Sequence, residues 1–267
     1  ADPAEARRVL QRSVELGVDL IDTANSYGPD VSEELIRDAL HPYPAHLVIA
    51  TKAGLERSGP DQWRTDCRPD RLQAHCEASL RRLGLDRIPL FQLHRVDPAV
   101  PFADQLGALV ELREQGKIEH IGLSEVGVEQ IEAARAITPI VSVQNMYNLV
   151  NRGHDPVLAH CEREGIVFIP WVPLGSGSLV GVDGPLSAVA SSLRVSPSQL
   201  ALAWLLQRSP VMAPIPGARS VAHLEQNVRA AEVRLIDSDV EAIEDATAGR
   251  ALGTSLRKVK GMLKLPF

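Results

Sequence analysis

The chain has 267 residues, 45% of them hydrophobic and 23% charged, and a formal net charge of −6. That composition describes a globular protein with a sizeable core and offers no basic surface to nucleic acid or an anionic membrane. No apolar run approaches the roughly 20 residues that a bilayer span needs, and A-D-P-A-E-A-R-R has none of the features of a signal peptide.

In chain order, helical periodicity over 5–16 leads into a β-rich run at 18–23 that ends in D-T. A helix follows over 32–39, with Ser32 as its expected cap, and then the run 47–52, ending A-T-K. The segment 53–69 reads as the longest early loop and carries Trp63, placed to cover a pocket or pack on a rim. Next come a helix at 71–83, a run at 88–94 ending Q-L-H, a helix at 102–115 and a run at 118–124. The helix 128–136, the run 140–145, the helix 156–163 and the run 166–172 continue the alternation. Ser196 before Pro197 caps a helix over 197–207; the run 211–217, helices at 221–231 and 237–247, and a basic tail within 248–267 complete the chain.

Strands that are apolar almost throughout and alternate with helices imply a parallel sheet covered by helices. No Gly/Ser linker or shift in composition interrupts the pattern, so one domain over 1–267 is expected. Polar residues end nearly every strand, which favours closure into an α/β (β/α)8 barrel. An open dinucleotide-binding sheet would place G-x-G-x-x-G after an early strand; the nearest match, Gly175-Ser176-Gly177, is late and lacks the third glycine. Seven strand-like runs leave the barrel one short, and the missing first strand is expected before Ala1.

Asp22, Tyr27, Lys52 and His94 arrive at or just past the ends of three successive runs, where catalytic side chains of such barrels converge. If the site reduces a carbonyl, a hydride reaches carbon and a general acid must stand beside the oxygen. A phenol is a reluctant acid at neutral pH, and a nearby ammonium favours its anion; a carboxylate would hold that ammonium in place. A histidine could then hydrogen-bond the carbonyl oxygen. Taken singly, each of the four is also an ordinary strand-end polar or packed aromatic.

The segments G-V-D-L-I-D-T-A-N-S-Y-G, V-I-A-T-K, L-F-Q-L-H, G-K-I-E-H-I-G-L-S, S-V-Q-N-M-Y-N, F-I-P-W-V-P-L-G-S-G and P-I-P-G-A-R-S-V-A-H-L-E-Q-N are jointly specific. Through them the chain resembles the aldo-keto reductase family over essentially its whole length. The resemblance implies a TIM-barrel reductase using NADPH, with NADH possible, whose catalytic tetrad is Asp22, Tyr27, Lys52 and His94, tyrosine being the proton donor. It also implies that Ser124 and Gln144 bind the nicotinamide carboxamide and that Trp171 stacks on the ring. Leu174, Ser176 and Gly177 match the pyrophosphate loop. Gly217, Arg219, His223 and Asn227 match the adenosine end in an I-P-G-x-R form, where a guanidinium suits a 2′-phosphate. Two positions depart from the family pattern: Glu125 stands where asparagine commonly follows the serine, and Gly217 replaces a lysine common in relatives.

The low aromatic content of 4% points to a small or polar aldehyde or ketone rather than a large aromatic substrate. Two other readings remain open at this stage. Lys52 could form a Schiff base, as in lyases and aldolases, or the barrel could be a nucleotide-sensing module with little turnover. Cys67, Cys76 and Cys161 show no Cys-x-x-Cys spacing, which argues against a disulfide framework or zinc knuckle and points to a reducing cytoplasm. Cys76 beside His75 falls on a helix away from strand ends and is read as structural.

Overall fold

The computed structural model describes residues 2–28, 31–59, 62–181 and 184–248, so the basic tail lies outside the described residues apart from Ala248. The chain divides into two compact units, one running to Gln144 and the other beginning at Asn145.

In the first unit, α1 (Pro3–Glu15) is capped by the Asp2 side chain and closes through the Val18 N–H donating to the Ser13 carbonyl. That closure occupies the residues before Leu20, which is why β1 (Leu20–Asp22) is shorter than the expected run. Helix α2 (Val31–Leu40) precedes β2 (Val48–Ala53). Ser32 therefore sits inside the first turn of α2 rather than capping it, and its hydroxyl pairs with Thr23 Oγ1 at 2.8 Å. The segment expected as a loop is instead an antiparallel hairpin of β3 (Leu55–Gly59) and β4 (Gln62–Thr65). Arg57 and Trp63 are cross-strand partners there, with the guanidinium 5.2 Å from the indole centroid, a cation–π pair that favours strand pairing over an open loop.

The alternation continues through α3 (Pro69–Leu83), β5 (Ile88–Leu93), α4 (Phe102–Glu114), β6 (Ile118–Ser124), α5 (Val128–Arg135) and β7 (Ser142–Met146). Strands pair in parallel in the order β1-β2-β5-β6-β7. Ile36, Leu47, Ile49 and Leu83 form a buried cluster that Leu10, Val14 and Ile21 extend, joining α1, α2 and α3 to the sheet. Glu33, fully buried, accepts from Thr51 Oγ1 and Arg82 Nε, both at 2.6 Å, and so ties α2, β2 and α3 together.

The second unit contains α6 (Asp155–Glu164), β8 (Val167–Trp171), a 3₁₀ turn at Gly175–Gly177, α7 (Ser187–Ser192), α8 (Pro197–Arg208), α9 (Val221–Val228) and α10 (Asp237–Ala248). Ser196 caps α8 as expected, in a reciprocal box with Gln199. The run 211–217 is not a full strand. It makes one parallel bridge, Phe168 to Met212, flanked by two 2.8 Å backbone bonds. Pro214 and Pro216 lack the N–H groups needed to extend that ladder. The helix expected over 221–231 gives way after Val228 to a 3₁₀ turn, Arg229–Glu232. Tyr147 packs edge-on against Phe168 and stacked with Trp204, forming the aromatic centre of this unit.

Among the described residues no helix is long and apolar enough to cross a membrane, and no cluster of three or more His, Cys, Asp or Glu side chains could hold a metal ion.

Candidate active site

Parallel pairing sets Lys52 beside Gln92, Gln92 beside Gly122, and Ser124 beside Gln144. Asp22, ending β1, collects three of these neighbours. Its Oδ2 lies 2.5 Å from Lys52 Nζ, and its Oδ1 accepts from Gln92 Nε2 at 3.1 Å and Gln144 Nε2 at 2.9 Å. An ionised carboxylate only accepts, so both amides must present their NH2 groups to it. Lys52 also donates to the Thr23 carbonyl at 2.8 Å, and its side chain is completely buried.

Burial alone would lower the Lys52 ammonium, but the charge and hydrogen bonds of Asp22 and Tyr27 outweigh it and hold its pKa above the ordinary value. Its Nζ lies 5.0 Å from the centroid of the Tyr27 ring. Tyr27 meets His94 edge-on, with ring centroids 5.8 Å apart. His94 is pushed the other way. Burial first, then the neighbouring charges of Lys52 and Arg95, hold its pKa well below 6.5, so its ring is neutral at neutral pH. His94 Nδ1 is buried and meets no hydrogen-bond partner among the described residues. The site thus keeps one group charged and another neutral against the same Tyr27 ring.

Gln92 and Arg95 belong to this constellation although the sequence did not single them out. Gln92 was visible as a polar residue inside an apolar strand. Gly122 has a steric role beside it: a Cβ there would lie 2.3 Å from Ser142 Oγ and 2.9 Å from Gln92 Cγ. Arg95, next after His94, donates from Nη1 to the His94 carbonyl at 2.7 Å and to Ser124 Oγ at 3.0 Å. Burial lowers its pKa, against the opposing charges of Glu125 and Tyr27. Glu125 holds a left-handed backbone, φ 56°, unusual for a residue with a side chain.

The other expected cofactor residues lie in the second unit. Trp171 ends β8 half-buried, and Val172 after it is left-handed, φ 56°, a strained state for a β-branched residue. Leu174 leads the turn holding Ser176, also left-handed at φ 53°, and Gly177, whose N–H closes on the Leu174 carbonyl at 3.1 Å. Gly217 and Arg219 are exposed just before Ser220, which caps α9 by accepting from the His223 N–H. His223 and Asn227 are four residues apart on α9 and so share one face.

The geometry also bears on the alternatives. A Schiff-base lysine must be a neutral amine, whereas Lys52 is held charged by a buried carboxylate. Cys67, Cys76 and Cys161 are free and buried, and burial pushes each thiol up to about 12, as expected of structural cysteines. His75 faces Glu56, 3.3 Å from its carboxylate.

The family model described as Aldo/keto reductase family matches residues 1–248. An oxidoreductase of Schizosaccharomyces pombe, C215.11c, is 52% identical over 226 residues, covering 85% of this chain and 74% of that protein. Pyridoxine 4-dehydrogenase of Escherichia coli is 40% identical over 242 residues, covering 88% and 84%. Among solved structures, a glycerol dehydrogenase from Gluconobacter oxydans matches with a TM-score of 0.84 at 26% identity, over 94% of this chain and 87% of that one. An aldo/keto reductase from Klebsiella pneumoniae, solved with NADP and acetate, has the same fold, with a TM-score of 0.79 at 24% identity over 91% and 85%. With the family matched over nearly its whole length, this chain belongs to the aldo/keto reductase family of oxidoreductases, on the (β/α)8-barrel fold.

Proposed function

We propose that the chain reduces a small aldehyde or ketone to its alcohol with NADPH, in a single barrel domain spanning 1–267, Tyr27 delivering the proton. One observation carries the reading: Lys52, held charged, and His94, held neutral, both lie against the Tyr27 ring. NADPH, when bound, supplies a hydride to the carbonyl carbon. The neutral His94 ring donates one N–H to the carbonyl oxygen and orients it. The Tyr27 hydroxyl then passes its proton to that oxygen, and Lys52 stabilises the negative charge left behind. Asp22 fixes Lys52, with Gln92 and Gln144 satisfying its other oxygen.

The residues present suit the cofactor. Ser124 and Gln144 are adjacent across β6 and β7 and between them offer a carboxamide a hydroxyl donor and an amide-oxygen acceptor. Trp171 would stack on the ring, and Leu174, Ser176 and Gly177 would flank the pyrophosphate. Gly217, Arg219, His223 and Asn227 would take the adenosine end. Arg219 beside the amino end of α9 favours a 2′-phosphate and therefore NADPH over NADH. Free thiols and a net charge of −6 fit a cytoplasmic enzyme acting on small molecules, with neither nucleic acid nor membrane as partner.

The test is NADPH and NADH titration of the purified protein followed by a carbonyl screen that includes pyridoxal and glyceraldehyde, since the named relatives act on different substrates. NADPH consumption with at least one carbonyl supports the proposal. Tight NADPH binding with no turnover across the panel would favour a sensing module, and borohydride trapping of substrate on Lys52 without cofactor would favour a lyase.

A further inference from the structure

Resting on the reading of Ser124 as a carboxamide ligand, we propose that Arg95 is a positioning residue that fixes the Ser124 hydroxyl as a hydrogen-bond donor to the nicotinamide carboxamide oxygen.

A hydroxyl carries one proton and can also accept, whereas a guanidinium carries donors only. The 3.0 Å bond between Arg95 Nη1 and Ser124 Oγ can therefore run in one direction, and it fills the hydroxyl as an acceptor. Arg95 is not free to swing away from this task, because the same Nη1 donates to the His94 carbonyl at 2.7 Å. Ser124 is 1% exposed, and among the described residues no acceptor takes its proton. A buried hydroxyl that accepts one bond and donates none costs free energy until an acceptor arrives.

Its neighbour has the opposite polarity. Gln144, paired with Ser124 in register, commits its amide nitrogen to Asp22 and so turns its Oε1 away as an acceptor. One donor and one acceptor side by side complement a primary carboxamide in a single orientation: carbonyl oxygen to Ser124, NH2 to Gln144. Arg95 sets the first half of that code and Asp22 the second. Arg95 also lies near the Glu125 carboxylate, the residue standing where the family commonly has asparagine. Its charge opposes the one that Glu125 brings to the site.

The experiment compares wild type, Arg95→Met, Arg95→Lys, Ser124→Ala and Arg95→Met/Ser124→Ala by calorimetric titration with NADPH and with 2′,5′-ADP, which lacks nicotinamide. Arg95→Met and Ser124→Ala should each weaken NADPH about tenfold, the worth of one buried hydrogen bond, and leave 2′,5′-ADP unchanged. The double variant should be no weaker than either single one, and Arg95→Lys, which keeps a donor for Ser124, should recover most of the loss. If Ser124→Ala weakens NADPH while Arg95→Met does not, the role of Arg95 is overturned and the Ser124 reading survives. If Ser124→Ala has no effect, that reading fails and the inference with it. Parallel loss of both ligands in Arg95→Met, as general damage to the site would give, also counts against the proposal.

Discussion

The Asp22–Lys52 pair gives the sharpest energetic prediction. Both charges are desolvated, with the lysine side chain 0% and the aspartate side chain 4% exposed. Removing one partner of a buried pair typically costs about 3–5 kcal/mol, because the survivor is left charged and unpaired. Lys52→Met should fall at the lower end, about 3 kcal/mol, since Asp22 keeps two amide donors from Gln92 and Gln144. Asp22→Asn leaves the ammonium the Thr23 carbonyl and the Tyr27 hydroxyl but no carboxylate, and should cost about as much. The double variant, Asp22→Asn/Lys52→Met, contains no buried charge from the pair. It should therefore cost about 3 kcal/mol rather than the roughly 6 that additivity gives. Equilibrium urea unfolding at constant m reads these values directly, with single-variant midpoints displaced by about 1 M or more. Additive losses, or a Lys52→Met loss below about 1 kcal/mol, would refute the claim that the two charges depend on each other.

Three further outcomes follow from neighbouring geometry. Gly122→Ala should push Gln92 off Asp22, costing about 2 kcal/mol and lowering kcat; urea melts and kinetics indistinguishable from wild type would contradict the packing argument. His94 is neutral in the fold but ordinary, near 6.5, when unfolded, so below that pH the unfolded chain binds the extra proton and stability falls. His94→Gln should remove a slope of up to about 1.4 kcal/mol per pH unit between its folded value and about pH 6.5, and an unchanged stability–pH profile would refute it. Arg219→Ala should weaken NADPH by about tenfold more than NADH in titrations, whereas equal weakening would remove the 2′-phosphate argument.

The sequence made the alternation of strands and helices legible because its strands are apolar and its helices periodic, and because polar residues close nearly every strand. It read less well where side chains or backbone groups make non-local choices. Ser32 looked like a cap, yet its hydroxyl is claimed by Thr23 across the turn. The segment around Trp63 looked like a loop because it is polar, but its pairing rests on a cross-strand contact with Arg57 that no periodicity reveals. At 211–217 the run is aliphatic, but Pro214 and Pro216 within it break the ladder, an effect that hydrophobicity does not register. Asp22, Lys52, Tyr27 and His94 stand out in the sequence by type and position, and the fold brings them into contact. Gln92 and Arg95 do not, since their importance lies in which atoms they satisfy once the strands are in register.

The central claim is that Tyr27 gives the proton to the carbonyl oxygen. Tyr27→Phe removes one hydroxyl and leaves the ring beside His94 and Lys52. Its kcat/KM for carbonyl reduction by NADPH should fall by about 100-fold or more while its affinity for NADPH stays at the wild-type value. A Tyr27→Phe enzyme that reduces the same carbonyl as fast as wild type would contradict the account.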